Sequence, residues 1–168
     1  MKTKSLVRNS IVLLIVLCNV GCDQISKSIV RQEINYNESV KFINNHFTLT
    51  KVENTGAFLS LGNSLPYFVK LIFLSILPVF VIFFGIYLLM SKSNLSRMLI
   101  LGFCFIIGGG IGNLYDRIIH GSVTDFMHID FILFQTGIFN MADVSIMIGT
   151  AIVLFDVYLK KIAIKPAL

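Results

Sequence analysis

Residues 66–90 read PYFVKLIFLSILPVFVIFFGIYLLM, with Lys70 as the single charge. A bilayer requires about 20 consecutive apolar residues of a spanning helix, so this stretch is a membrane span. Three further apolar stretches are long enough to cross, at about 9–30, 98–116 and 138–159. The first carries Asp23 and Lys27 in its second half, and the third is rich in glycine near its end. Pro78 is expected to kink the second, because proline lacks a backbone donor and clashes one turn back. Across all 168 residues the chain is 55% hydrophobic and 14% charged, with mean hydropathy +0.82. A soluble domain would carry roughly 25% charge. The expected architecture is therefore one membrane-embedded domain over 1–168, all-α apart from a small β element.

Charge sets an expected orientation. Lys2, Lys4 and Arg8 precede the first span, Lys92 and Arg97 fill the loop after the second, and Lys160, Lys161 and Lys165 follow the fourth. With four spans these regions share one side, and they hold eight of the fourteen Lys and Arg but only one acid of nine, Asp156. The positive-inside rule assigns that side, with both termini, to the cytoplasm. The net charge of +5 is then a topology signal. No basic patch interleaved with aromatics exists on a soluble surface, so no nucleic-acid partner is expected. Cys18, Cys22 and Cys104 all fall in spans without C-x-x-C spacing, and no disulfide is expected.

The first 22 residues imitate a lipoprotein signal peptide, with a basic start, an apolar run and Gly21-Cys22. Asn19 stands where an aliphatic residue is favoured in such a leader, and three further spans follow, so an uncleaved first span is expected. Residues 31–65 form a long outer loop. Within it, 47–52 alternates apolar and polar positions as a strand does, between turn signals at Asn44-Asn45 and 53–56. A second extended stretch, 122–134, is bounded by Gly121 and Gly137. The two are expected to pair over the outer ends of the helices.

Five polar clusters interrupt the apolar background: DQISK at 23–27, NTGAF at 54–58, GNLYDR at 112–117, VTDF at 123–126 and FNMAD at 139–143. The topology puts all five at the outer membrane face. A carboxylate at membrane depth costs about 2.5–3.5 kcal/mol, so Asp125 and Asp143 are presumed functional. Two of them at one membrane edge suggest a pair sharing a proton. Polar groups converging at the helix ends form the default site.

In this order and spacing the clusters resemble the motifs of the lipoprotein signal peptidases (signal peptidase II). The resemblance runs from residue 23 to residue 143, and the four-span topology extends it over nearly the whole chain. It implies an aspartyl protease that cuts diacylglyceryl-modified prolipoproteins before the lipidated cysteine; the basic tail fits a bacterial inner membrane, and a monomer in contact with membrane lipid is expected. It implies neither metal nor cofactor. The implied fold has four transmembrane helices, a small extramembrane β-cradle and a short outer helix. The implied catalytic pair is Asp125 and Asp143, supported by Asp23, Lys27, Asn54, Gly56, Asn113, Arg117 and Asn140. Phe58 and Glu53 depart from the family's commoner residues beside the substrate-side loop.

The residue types suit the chemistry. Of two close carboxylates one keeps its proton, so the ionised one can activate water and the other can protonate the leaving nitrogen. Asn54, Asn113 and Asn140 are uncharged donors suited to fixing backbone groups of a peptide at low dielectric, and Arg117 offers a planar fork to a substrate carbonyl, a lipid head group or a nearby acid. Plainer readings exist. Asp23 and Lys27 form an i,i+4 pair, Asp116 fits an interfacial ion cluster, Asn54 and Asn140 fit turns or caps, and Gly108–Gly110 with Gly112 fit a close helix-packing face. His120, Asp125, His128 and Asp130 match no zinc spacing. A proton or cation relay would need polar groups spread through the bilayer, whereas these gather at one face. The outer loop, with Phe58 and Leu59 at its tip between Gly56 and Gly62, is expected to cover the substrate.

Overall fold

The computed structural model describes residues 2–92, 94–131 and 133–164. Lys165, part of the expected basic tail, lies outside the described residues, as do the side chains of Lys2, Lys4 and Leu59. Helix α1 spans Lys2–Glu33 and runs unbroken through Gly21 and Cys22. A hairpin follows, β1 (Ser39–Phe42) and β2 (Phe47–Asn54), then a 3-10 turn at Phe58–Ser60. The second span is composite: α2 (Tyr67–Leu71), a π-helical stretch (Ile72–Ile76) and α3 (Leu77–Ser91). Helix α4 is Arg97–His120, strand β3 is Val123–Ile129 and helix α5 is Met141–Ile164. Among the described residues four helical segments are thus long and apolar enough to cross a membrane.

The expected break at Pro78 is a wide turn. Proline cannot donate to the carbonyl one turn back, and the π-helical stretch ends immediately before α3, where Pro78 sits in the first turn. Helix α4 is delimited by residue chemistry. The Ser96 hydroxyl caps its first turn by accepting from Leu99 N at 3.1 Å, and Gly121, at φ +77°, closes it.

The helices run past the expected spans at the basic end, from Lys2 in α1 and to Ile164 in α5, and three boundaries differ at the other end. α1 and α4 continue to Glu33 and His120, because their polar last turns are held against each other and the sheet, which hydropathy does not register. α5 begins at Met141, not near residue 138, because the Phe139 N–H and carbonyl bond to β3. The sheet has three strands in the order β1-β2-β3, all antiparallel, so the expected pairing of 47–52 with 122–134 gains β1 as an edge. β1 escapes the sequence reading because four exposed residues carry no alternating burial signal. Asn44 and Asn45, at φ 54° and 70°, make the hairpin turn.

The helices pack through glycine. A methyl at Gly109 would lie 2.3 Å from the Ala142 carbonyl oxygen on α5, and one at Gly108 2.6 Å from Asn19 Cβ on α1. Gly102 and Gly149 bring α4 and α5 together lower down in the same way. Close backbone approach of this kind is how membrane helices gain packing when lipid offers no hydrophobic contrast. The apolar core between α1, α3 and α4 centres on Val12, Leu89, Cys104 and Ile107. A second cluster, Val30, Ile34 and Phe126, seats the sheet on the end of α1. Arg8 Nη1 donates to the Lys92 carbonyl at 2.9 Å, and the Ser96 hydroxyl donates to Asp156 at 2.7 Å. These contacts gather the start of α1, the end of α3, the start of α4 and the end of α5 at one basic end of the bundle.

Candidate active site

At the opposite end a cavity of about 260 Å³ opens among α4, α5, β3, the 54–58 loop and the second span. Asp125, Asp143, Asn54, Asn113, Asn140 and Arg117 all line it. Asp125 arrives on β3. Side chains alternate along a strand, so Val123 and Asp125 face the cavity while Thr124 and Phe126 face α1. The β2–β3 register slips between Leu49 and Val52, beside the Val52–Asp125 pair. A bulge of this kind re-aims neighbouring side chains. On its other edge β3 holds Phe139, whose carbonyl accepts from Phe126 N at 3.0 Å and Met127 N at 2.8 Å. That pairing delivers Asn140 beside Asp125.

Asn140 also starts α5. Its Oδ1 accepts from Asp143 N at 3.0 Å, and its own N–H donates to Asp143 Oδ2 at 3.2 Å. This is a reciprocal capping box, which fixes Asp143 in the first turn. The Asn140 Nδ2 meanwhile donates to Asp125 Oδ1 at 2.6 Å. One asparagine therefore touches both carboxylates. Asn54 Nδ2 donates to Asp125 Oδ2 at 2.9 Å, and Asn113 Nδ2 donates to Asp143 Oδ1 at 2.9 Å. Each of the four carboxylate oxygens thus has an amide donor, and among the described residues neither carboxylate pairs with a cation. Burial raises the Asp125 pKa to about 6; the Asp143 charge adds to this, and the Asn54 and Asn140 hydrogen bonds offset part of it.

Asp23 and Lys27 lie behind this layer, both fully buried and 2.8 Å apart. Asp23 Oδ1 accepts from Ala142 N at 2.8 Å, placing a carboxylate on the amino-terminal turn of α5, where orphan N–H groups favour negative charge. Lys27 Nζ donates to Asn113 Oδ1 at 2.9 Å and pairs with Asp116 at 3.2 Å. A methyl on Gly112 would stand 2.5 Å from Asp23 Oδ2, so that glycine makes room for the carboxylate. The i,i+4 pair is therefore an inter-helix brace.

Arg117 meets backbone carbonyls among the described residues. Its Nη2 donates to the Gly56 carbonyl at 3.0 Å and its Nη1 to the Asn113 carbonyl at 3.3 Å, while Nε is buried without an acceptor among the described residues. It pins the loop to α4. Gly56 is required by the fold of that loop, since a methyl there would lie 2.6 Å from the Leu61 carbonyl oxygen. Asn54 closes the same turn, donating to the Ala57 carbonyl at 2.9 Å and accepting from Gly56 N at 2.8 Å. Phe58 lines the cavity, but Glu53 does not: its oxygens accept from Ser122 at 2.5 Å and Thr124 at 2.9 Å, tying β2 to β3. Glu53 thus ties two strands and is absent from the cavity lining.

Three supporting residues carry no role in the sequence reading. Asp116 accepts from Gln24 at 3.1 Å and Thr124 N at 3.2 Å and pairs with Arg31 at 2.9 Å. Gln24, Arg31 and Thr124 thereby complete a buried polar junction among α1, α4 and β3. The helical repeat contained a signal for Arg31, four residues beyond Lys27 and eight beyond Asp23 on one face. Among the described residues no three His, Cys, Asp or Glu side chains are grouped to hold a metal ion.

A family model described as Signal peptidase (SPase) II matches residues 14–159. The lipoprotein signal peptidase of Streptococcus pneumoniae is 35% identical over 147 residues, 88% of this chain and 92% of that one. That of Enterococcus faecalis is 36% identical over 146 residues, 87% and 86% of the two chains. A bacterial membrane enzyme solved by the in meso method at 2.3 Å superposes with TM-score 0.83 at 23% identity, covering 95% of this chain and 94% of its own. A second, solved at 1.9 Å, gives TM-score 0.78 at 22% identity over 88% and 92%. The two solved structures share the fold.

Proposed function

The chain belongs to the signal peptidase II family, and from that premise we propose that it is a membrane-embedded aspartic endopeptidase acting on diacylglyceryl-modified prolipoproteins. It cuts on the amino-terminal side of the lipidated cysteine, with Asp125 and Asp143 as the catalytic pair. The single domain works without metal or cofactor, as a monomer, at the outer face of a bacterial cytoplasmic membrane with both termini inside. The observation that carries this reading is the cavity wall itself. Two carboxylates from separate elements share Asn140, receive only amide donors and meet no cation among the described residues.

Such a pair titrates as a unit, and one proton between two carboxyls is its low-energy state. Water activated by the ionised group attacks the scissile carbonyl, and the protonated partner gives its proton to the leaving nitrogen. A burial-raised pKa suits Asp125 to hold or release that proton near neutral pH. Asn54 and Asn113 each fix one carboxylate oxygen of the pair, and Asn140 fixes the other two. Arg117, by holding Gly56, positions the loop that covers the peptide.

The lipid chain of the substrate enters sideways. Phe73, Leu74 and Pro78 of the second span line the cavity, and that span contributes only Leu89 to the buried residues, near its far end. A wall so lightly held leaves the cavity open toward lipid between helices. The 54–65 loop acts as a movable cover, tied down by Arg117 and by Lys70, whose Nζ donates to Thr55 at 3.2 Å.

The test is cleavage in proteoliposomes of a diacylglyceryl-modified prolipoprotein and its unmodified twin by wild type, Asp125→Asn and Asp143→Asn, with insertion checked. Cutting before the lipidated cysteine alone, reduced on the order of 10²–10⁴-fold in each variant, is the expected result. An intact lipidated precursor with wild type sinks the substrate assignment, and full activity in either variant sinks the pair.

A further inference from the structure

At the basic end of the bundle, α1 and α4 diverge around a groove of about 440 Å³. Its walls are apolar and lipid-facing, with Ile11 and Ile15 on one side and Ile100 and Leu101 on the other. Two guanidiniums, Arg8 and Arg97, sit in its lining. Neither pairs with a carboxylate among the described residues. Arg8 spends its Nη donors on carbonyls at the end of α3 and on Asn9, and its Nε is buried without an acceptor. The Arg97 side chain is exposed and makes no hydrogen bond or ion pair among the described residues. Asp156, at the same end of the bundle, is committed to Lys160 and Ser96.

An apolar trough crowned by two uncompensated cations at a helix end matches one amphiphile, an acyl chain bearing a negative head group. Basic pockets between transmembrane helices bind anionic lipid heads on this principle. A free anion would leave the trough unfilled, and a zwitterionic lipid would bring its own cation to the arginines. We propose that the α1–α4 groove is a binding site for one anionic phospholipid, its phosphate held by the Arg97 fork with the Arg8 charge beside it and one acyl chain lying along Ile11, Ile15, Ile100 and Leu101. The site lies at the other end of the helices from the cavity and is independent of the peptidase reading. Because Arg8 also ties α1 to the end of α3, an occupied groove locks the lightly held second span at its far end.

The experiment is native mass spectrometry of the full chain in detergent, titrated with phosphatidylglycerol, with phosphatidylcholine of the same acyl chains, and with inorganic phosphate alone. Wild type, Arg97→Gln and Lys161→Gln are compared. Lys161 is an exposed cation of the same end and serves as the charge control. The expected result is one retained phosphatidylglycerol, preferred over phosphatidylcholine, with affinity lowered about fivefold by Arg97→Gln and little changed by Lys161→Gln. Equal retention of the two lipids overturns the proposal. So does an equal loss in both variants, which would mark a diffuse surface field, and so does displacement of the lipid by inorganic phosphate alone.

Discussion

Asp125 and Asp143 are held by the same kind of donor yet reach the cavity by different routes, and Asn140 is where the routes meet. Truncating it tests that junction. Asn140→Ala removes a cap and a buried donor together and is predicted to cost about 1–3 kcal/mol in thermal unfolding. Cleavage should fall further than stability, on the order of 100-fold, because both carboxylates lose their shared anchor. A rate loss no larger than the loss of folded protein would make Asn140 a cap alone. The raised pKa of Asp125 gives a second prediction at this scale. A carboxyl whose folded pKa of about 6 exceeds its unfolded value near 3.8 binds its proton more tightly when folded. Its contribution to stability is fully present below the unfolded pKa and is lost as pH rises through the folded one. Melting temperatures in detergent should therefore decline between pH 4 and pH 7 more steeply for wild type than for Asp125→Asn. Parallel profiles would show that the carboxyl is not tuned. Sequence alone named both aspartates, because charge in an apolar chain is conspicuous, but it had no means to read which amides would ligate them.

At the scale of elements, glycines and buried charges set how closely α1, α4 and α5 approach. Gly112→Ala places a methyl 2.5 Å from Asp23 Oδ2. It should cost about 1–3 kcal/mol as overpacking. Gly21→Ala meets nothing within 4 Å and should be neutral or better, which makes it the control in a thermal-shift comparison. Equal melting temperatures for the two variants would refute the close-packing account. Lys27→Met leaves Asp23 and Asp116 buried without their shared cation. Breaking a buried pair in this way costs about 3–5 kcal/mol, so the variant should insert poorly or melt far lower. Near-normal melting would show that Arg31 alone suffices for Asp116. The i,i+4 spacing was plain in DQISK, and the glycine-rich run was legible as a packing face. That the two belong to one joint, with Gly112 admitting Asp23 to the start of α5, depends on helix rotation, which spacing does not specify.

For the whole molecule, the asymmetry between the tightly joined α1–α4–α5 core and the loosely held second span predicts how substrate enters. If the cavity opens to lipid between helices, a lipidated precursor is presented to the carboxylates from the bilayer and its unlipidated twin is not. Comparable rates for the two in vesicles would exclude sideways entry. A cysteine cross-link between the 54–65 loop and the start of α2 should likewise abolish turnover reversibly under reductant if the loop is a cover that must move. Unchanged activity in the linked protein would assign the loop a fixed role.

The sequence by itself determined the membrane class, the four spans, the turn at Asn44-Asn45 and the polar clusters that mark the candidate site. These are local properties, set by hydropathy, backbone preference and the cost of charge in lipid. Only the tertiary structure decided that Asn140 bridges the two aspartates, that Arg117 holds a loop carbonyl and that Glu53 ties strands together. It also brought Asp23 onto the start of α5, and it extended α1 and α4 beyond their apolar limits. These arrangements arise from groups far apart in the chain, each satisfying a buried hydrogen bond that neither could satisfy with its own neighbours. The pairing is fixed by where helices and strands pack, and packing is a property of the folded whole.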